Sequence, residues 1–408
     1  MNINECVLAA KFMTNLVQTS NLSQKHFSLE IVNMRHKSLV LPVLGALSLA
    51  LAGIACAQEQ VVKIGHTGPL SGANAFAGKD NENGVRMAVE ELNSKKIKVA
   101  GKTIKFELQS EDDQCDPKAG VNVAQKLIDS GIKFVMGPYC SGVAIPASRI
   151  YDEGGAILST VGSNPKVTMG GYKNLFRIIA GDNLIGSSMA QYAVNGLKAK
   201  TAVVIDDRTA FGQGVADEFT KEAKVLGLTI VGKEFTTDKS TDFSAILTST
   251  KAKAPDVIFY GGYAAQAGPM VRQMKGLEVK AKLLAADAVC VVETGKLGGD
   301  ATNDTVYCAQ GGAILDKVAA GPAFRDNYKK RFGQDPDAYA ASFYDQTMFL
   351  VQAMQKTNSL DSQKVGAEMH KSSYKGIVTT YAYDDKGNLQ KAPVTVYVFK
   401  NSVPVPVQ

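Results

Sequence analysis

The sequence has no long run of one charge, no stripe of interleaved basic and aromatic residues, no Gly-x-x-x-x-Gly-Lys-Ser/Thr phosphate loop and no Cys-x-x-Cys pair. Each absence removes a class of function. Lysine and arginine number 45 against 39 aspartates and glutamates, and the first 57 residues account for two of the six net positive charges. What remains is a mixed, solvated surface with no nucleic-acid footprint. The paired glycines Gly261-Gly262 and Gly311-Gly312 lack the spacing of a dinucleotide fingerprint. Only His66 and His370 lie beyond residue 57, and neither stands beside a plausible Ser or Cys partner, so a hydrolase of small amides is the least supported alternative. The cysteine spacings do not match a metal site, and no metal or cofactor is expected.

What is present begins with an address. Met34-Arg35-His36-Lys37 precedes a small and almost wholly apolar stretch from Ser38 to Ala55, which ends in Ala55-Cys56-Ala57. A basic head, a short apolar middle and small residues at alternate positions read as a secretory signal cleaved after Ala57, so residues 1–57 are expected to be leader, with Met34 as the expected start. Residues 1–33 show neither helical nor strand periodicity. Lipid anchoring at Cys56 is the alternative, and the glycine three residues before it fits that signal poorly. The expected location is the periplasm. Beyond the signal, no apolar stretch is long enough to cross a bilayer.

Four cysteines follow the signal, and an even number in an exported chain points to disulfides. Three pairings are open in principle; order along the chain favours Cys115 with Cys140 and Cys290 with Cys308.

With 45% apolar and 21% charged residues in 408, the chain can fill two cores. From Val61 onward, short runs rich in Val, Ile and Phe alternate with stretches of helical spacing, the pattern of parallel sheets with crossover helices. Strands are expected at 61–65, 104–109, 134–137, 156–159, 202–206, 229–234, 257–260, 283–286, 305–310 and 394–399. Helices are expected at 84–93, 118–130, 322–332 and 339–355 among others. Ten strands strain the limit of one twisted sheet, so the fold class is α/β with two lobes, each a mostly parallel sheet flanked by helices. The expected lobes are 58–180 with 307–389, and 181–306 with 390–408. Three crossings between them would serve as hinges.

The segment from Gly137 to Ala144 ends a strand and opens a helix, where free amides and the helix dipole favour an anion. Ser141 is its pivot, although a serine there also reads as a helix cap. The loop Ser159-Thr160-Val161-Gly162-Ser163-Asn164-Pro165 adds hydroxyl and amide groups at the same sheet edge, and adjacent strand ends aimed at one crevice suit an α-carboxylate. An ammonium needs a carboxylate to meet it, and Asp287, at the end of the apolar run 282–286, is the candidate, with a helix cap as its other reading. Tyr263, just after the strand at 257–260, could close over a ligand or simply pack in a core.

Taken together, Ile64-Gly65 with Gly68-Pro69-Leu70-Ser71-Gly72, Asp112-Asp113-Gln114-Cys115-Asp116-Pro117, Cys140-Ser141, Phe211-Gly212-Gln213-Gly214, Asp242-Phe243-Ser244, Tyr260-Gly261-Gly262-Tyr263 and Asp385-Lys386-Gly387 resemble a known family. It is the periplasmic branched-chain amino acid binding proteins of bacterial ABC importers, with the type I periplasmic binding protein fold. The likeness spans Gln58 to Lys400. It implies that Ser141 and the Gly162-Ser163 backbone hold the ligand carboxylate, that Ser163 and Asp287 receive the ammonium, and that Tyr263 comes from the second lobe. It also implies a disulfide between Cys115 and Cys140 beside the site, and a side-chain pocket lined by Phe211 and Tyr344. Phe76 stands next to Ala77, where leucine-binding members carry a tyrosine, and Asp287 replaces their glutamate; Asn164 and Lys166 also depart from the usual loop. Leucine, isoleucine and valine lead as ligands, with an aromatic or other small amino acid, or an amide-like solute, still open. The implied partners are membrane permease subunits, with the protein itself a monomer. A receptor component that senses the same ligand is the rival.

Overall fold

A computed structural model describes residues 59–312 and 314–407. The leader and signal expected at residues 1–57 lie outside the described residues. Within them two sheets form. The first runs in the order β2-β3-β1-β4-β5-β6, with β1 Gln60–Gly68, β2 Lys98–Val99, β3 Lys102–Asp112, β4 Phe134–Met136, β5 Ile157–Thr160 and β6 Leu175–Arg177. All its pairings are parallel except the β2–β3 hairpin. Chain order reverses at β1, which lies between β3 and β4, so a crevice opens beyond the carboxyl ends of β1 and β4.

The second sheet has the order β15-β14-β11-β10-β9-β7-β8, with β7 Thr201–Asp206, β8 Thr229–Phe235, β9 Val257–Gly261, β10 Lys282–Ala285 and β11 Val306–Gly311. Strands β7 to β11 are mutually parallel. Two late strands, β14 Val394–Lys400 and β15 Val403–Pro406, finish it in antiparallel fashion. A two-stranded hairpin of β12 Tyr374–Lys375 and β13 Thr380–Tyr381 stands apart. Its turn is held by Asp345, whose carboxylate accepts the Ile377 amide at 2.7 Å.

The central strands are buried on both faces because helices cover both, which is why β9 and β10 read as unbroken apolar runs. In the first lobe, helices Ala75–Ser94 and Ala340–Thr357 pack on one another over one face, while Pro117–Asp129 and Ser141–Glu153 cover the other. In the second lobe, Asp182–Gln191 packs on Ala210–Val225, whose Phe219 stacks on Phe259 of β9 at 4.1 Å. The chain therefore passes between sheets after β6 and again between Leu389 and Val394. The crossing expected between residues 306 and 307 lies later, after Gly311, because β11 pairs with β10 and with β14, Tyr307 opposite Val398. That strand belongs to the second lobe.

Both disulfides form, Cys115–Cys140 and Cys290–Cys308, each with Cα atoms 5.5 Å apart. The first is seated by an aspartate: the Asp113 carboxylate accepts the Cys115 amide at 2.9 Å and the Thr67 hydroxyl at 2.8 Å. Next to this network Gly137 has φ 115°, and a Cβ there would fall 1.9 Å from the Thr67 carbonyl oxygen, so only glycine lets β4 turn toward the crevice.

Candidate functional site

The carboxyl ends of β4 and β5 in one sheet face those of β7, β9 and β10 in the other, and the residues carried there are buried. Cys140, not Ser141, occupies the cap position of helix Ser141–Glu153, and no side chain caps it. The capping role for Ser141 is therefore overturned. Its hydroxyl instead accepts the Asn164 amide at 3.2 Å, which leaves the hydroxyl proton free to donate into the cleft. Ser141 is 1% exposed. Gly162 spends its own amide on the Thr160 hydroxyl at 2.9 Å, so of the Gly162-Ser163 pair the unengaged amide is that of Ser163.

From the second sheet come Phe211, Tyr263 and Asp287, all buried. Phe211 and Tyr263 lie with ring centroids 5.1 Å apart, and Tyr263 meets Tyr139 of the first lobe across the cleft at 6.0 Å. Asp287 opens a single 3-10 turn without acting as its cap. One of its oxygens accepts the Tyr339 hydroxyl, which reaches over from the first lobe. The other, Oδ1, is buried with no hydrogen-bond partner. Burial lifts this carboxyl from its ordinary 3.8 to about 6, against the pull of the Tyr339 hydrogen bond.

A second buried carboxylate shares the site. Asp182 begins the helix after the first crossing, and both of its oxygens are buried. Burial drives its carboxyl up to about 8; the charge of Asp287 adds to this, while the Ser163 hydroxyl and the Arg177 guanidinium pull the other way. At neutral pH Asp182 is thus mostly protonated, and Asp287 carries the negative charge.

Phe76 lines a tight crevice, too narrow to admit a water molecule, with Ala77, Asp80, Asn81, Tyr139, Val291, Asp337, Ala338 and Tyr339. Tyr344 is not among them. It sits on the outer side of the first lobe, its hydroxyl donating to Glu91 at 2.6 Å and its ring against Phe324 at 5.4 Å, so its expected place in the ligand pocket is corrected to Tyr339. Tyr339 is held in the cleft by Asp80, whose carboxylate accepts the amides of Asp337 at 2.9 Å and Ala340 at 3.0 Å.

Sequence reasoning passed over Tyr139, Asp182, Tyr339 and Arg177. Tyr139 stood inside the segment from Gly137 to Ala144, where an aromatic at a strand end was the available signal; for Asp182 it was an acid beside the expected lobe boundary at 180–181. Arg177 gave no signal. Its buried guanidinium ties the ligand loop to the third crossing, donating to the carbonyls of Ser163 at 2.7 Å and Asn164 at 3.0 Å and to the Asn388 side chain. Among the described residues no group of three or more His, Cys, Asp or Glu could hold a metal, and no helix is long and apolar enough to cross a membrane.

Residues 61–402 match the profile of the periplasmic binding protein family. The chain belongs to that family. The Leu/Ile/Val-binding protein homolog 1 of Brucella abortus strain 2308 is 33% identical over 356 residues, 86% of this chain and 93% of the relative. A Pseudomonas aeruginosa amino acid binding protein is 32% identical over 358 residues, 86% and 95% of the two chains. Among solved structures, a leucine binding protein from Thermotoga maritima superposes with TM-score 0.79 at 26% identity, over 85% of this chain and 98% of its own. The two lobes are those of the type I periplasmic binding protein fold.

Proposed function

We propose that this protein is the substrate-binding component of an ABC importer and captures a branched-chain α-amino acid between its lobes without altering it. The observation that carries this is the closed cleft's polarity. The donors, the Ser141 hydroxyl and the Ser163 amide, lie on one lobe, and a buried carboxylate with one oxygen unpartnered, Asp287, lies on the other. A zwitterion satisfies both at once. Its carboxylate takes the two donors, and its ammonium takes Asp287 Oδ1, replacing a buried unpaired charge by a charge-assisted pair. The Leu/Ile/Val-binding relative and the leucine-binding structure support a branched aliphatic side chain, which Phe211, Tyr263 and Tyr139 would enclose.

The ligand would first meet the donors of lobe one, and hinge movement at the three crossings would bring Asp287 and Tyr263 over it. Export by the signal at 34–57 would place the protein in the periplasm, where it acts as a monomer and permease subunits receive the closed form. Calorimetry of refolded protein against the twenty amino acids tests the reading. Leucine, isoleucine and valine should bind with the tightest constants; a protein that binds no α-amino acid sinks it.

A further inference from the structure

We infer that Asn164 is a closure latch, a positioning residue that joins the ligand-carboxylate site of one lobe to the backbone of the other. Its side-chain Nδ2 donates to the carbonyl of Ala210 at 2.6 Å, and Ala210 opens a helix that packs on the second sheet. This bond crosses the cleft and is lost when the lobes part.

Every other polar atom of Asn164 is committed on its own side. Its amide donates to the Ser141 hydroxyl at 3.2 Å, its side-chain oxygen accepts the Lys166 amide at 2.9 Å, and its carbonyl accepts the Arg177 guanidinium at 3.0 Å. The residue is therefore locked in place before closure, and only the donor facing the other lobe awaits a partner. Such preorganisation makes the bond cheap in side-chain entropy. It also connects three functions through one residue: the hydroxyl aimed at the ligand, the guanidinium that reaches Asn388 beside the third crossing, and the opposing helix.

The opposing surface is shaped to admit it. A Cβ at Gly214 would stand 2.2 Å from Asn164 Nδ2 and 2.7 Å from Asp182 Oδ2. Gly214 has no positive φ, so its lack of a side chain serves this close approach and not a turn. Packing and hydrogen bonding point to the same contact.

The test measures the distance between spin labels on Asn122→Cys and Lys221→Cys, exposed positions on the two lobes. It is run ligand-free at pH 5 and with saturating L-leucine at pH 7.5. Asn164→Asp keeps the acceptor for Lys166 but has no N–H to donate; Asn164→Ala removes the donor without adding charge. Both should lower the ratio of closed to open molecules by roughly three- to tenfold, the worth of one net hydrogen bond. Gly214→Ala should oppose closure too, and pairing it with Asn164→Ala should recover part of that loss. Closed populations equal to wild type in both Asn164 variants, or a wild type that never closes under either condition, overturn the latch. The inference rests on hinged capture but not on the ligand's identity. If leucine leaves the wild-type distances unchanged while the variants still lose the closed population at pH 5, the leucine reading fails and the latch stands.

Discussion

Replacing Asp287 by asparagine should make the empty closed form more stable and the protein less able to bind, and both effects follow from one buried charge. The carboxyl is held at about 6 against an ordinary 3.8 because its ionised form is desolvated. Folded protein therefore binds this proton more tightly than unfolded chain does. The stabilisation linked to the protonated form is fully present below pH 3.8 and is lost as pH rises through 6. Above pH 6 the closed ligand-free form carries a penalty of about 3 kcal/mol from this group, and because opening returns the carboxylate to water this is an upper bound for the gain that asparagine offers. Asparagine keeps an oxygen for the Tyr339 hydroxyl and is neutral at every pH. Differential scanning of the ligand-free proteins should thus find the variant no less stable than wild type at pH 7.5 and at most a few degrees above it, with any difference vanishing near pH 4. Binding goes the other way, since an ammonium loses a charge-assisted partner worth about 1.5–3 kcal/mol, or roughly 10- to 150-fold in Kd. Wild-type affinity should also fall below pH 6, as Asp287 takes up a proton, while the variant stays flat in that window. A variant that binds leucine within threefold of wild type, or that melts lower at pH 7.5, would refute the reasoning.

Tyr339→Phe and Tyr344→Phe separate the two tyrosines. The first should shift affinity and its pH dependence, because it strips Asp287 of its side-chain donor, whereas the second should leave titration calorimetry unchanged and cost about 1 kcal/mol of stability with the Glu91 bond. Cys115→Ser with Cys140→Ser opens a loop with a sequence separation of 25, worth about 3.5 kcal/mol in the chain-entropy account, and should lower the midpoint of thermal unfolding by several degrees. If the oxidised wild type and the double variant melt together, the bridge contributes nothing. Arg177→Met should weaken leucine binding by at least tenfold, since it frees the Ser163 and Asn164 carbonyls and Asn388 together; an unchanged Kd would show that the loop holds its shape without the clamp.

The strands that could be read from sequence were those whose burial on both faces writes a run of Val, Ile and Phe, such as 202–206 and 257–260. Those missed are short or sit at edges. Lys98–Val99 is half of a hairpin with a charged surface residue, and Val403–Pro406 carries two prolines, which a sheet tolerates only where no neighbour needs their missing N–H. β15 is such an edge strand, paired only with β14. The site was legible wherever a strand end exposes a hydroxyl or an acid, which is why Ser141, Ser163 and Asp287 could be named. Tyr339 could not be distinguished from Tyr344, because its place is fixed by Asp80, some 260 positions earlier in the chain. No periodicity encodes that contact. Arg177 is hidden for the same reason: its partners are backbone carbonyls and Asn388, which acquire meaning only once the lobes are folded.

The two buried aspartates explain why closure should wait for ligand. In the closed cleft Asp287 has one oxygen unsatisfied, and its ionised form costs about 3 kcal/mol there, a factor of roughly a hundred against the empty closed state at neutral pH. Opening the lobes returns this carboxylate to water and relieves the cost. On the proposed reading an ammonium would relieve it without opening, so the ligand would favour the closed state by about the amount that its absence disfavours it, and differential affinity of that kind is what a ligand must have to move a conformational equilibrium. Asp182 could have spoiled the device by adding a second charge that one ammonium cannot meet. Its carboxyl, held near 8, mostly keeps its proton instead, and Asp287 is left to meet the ammonium.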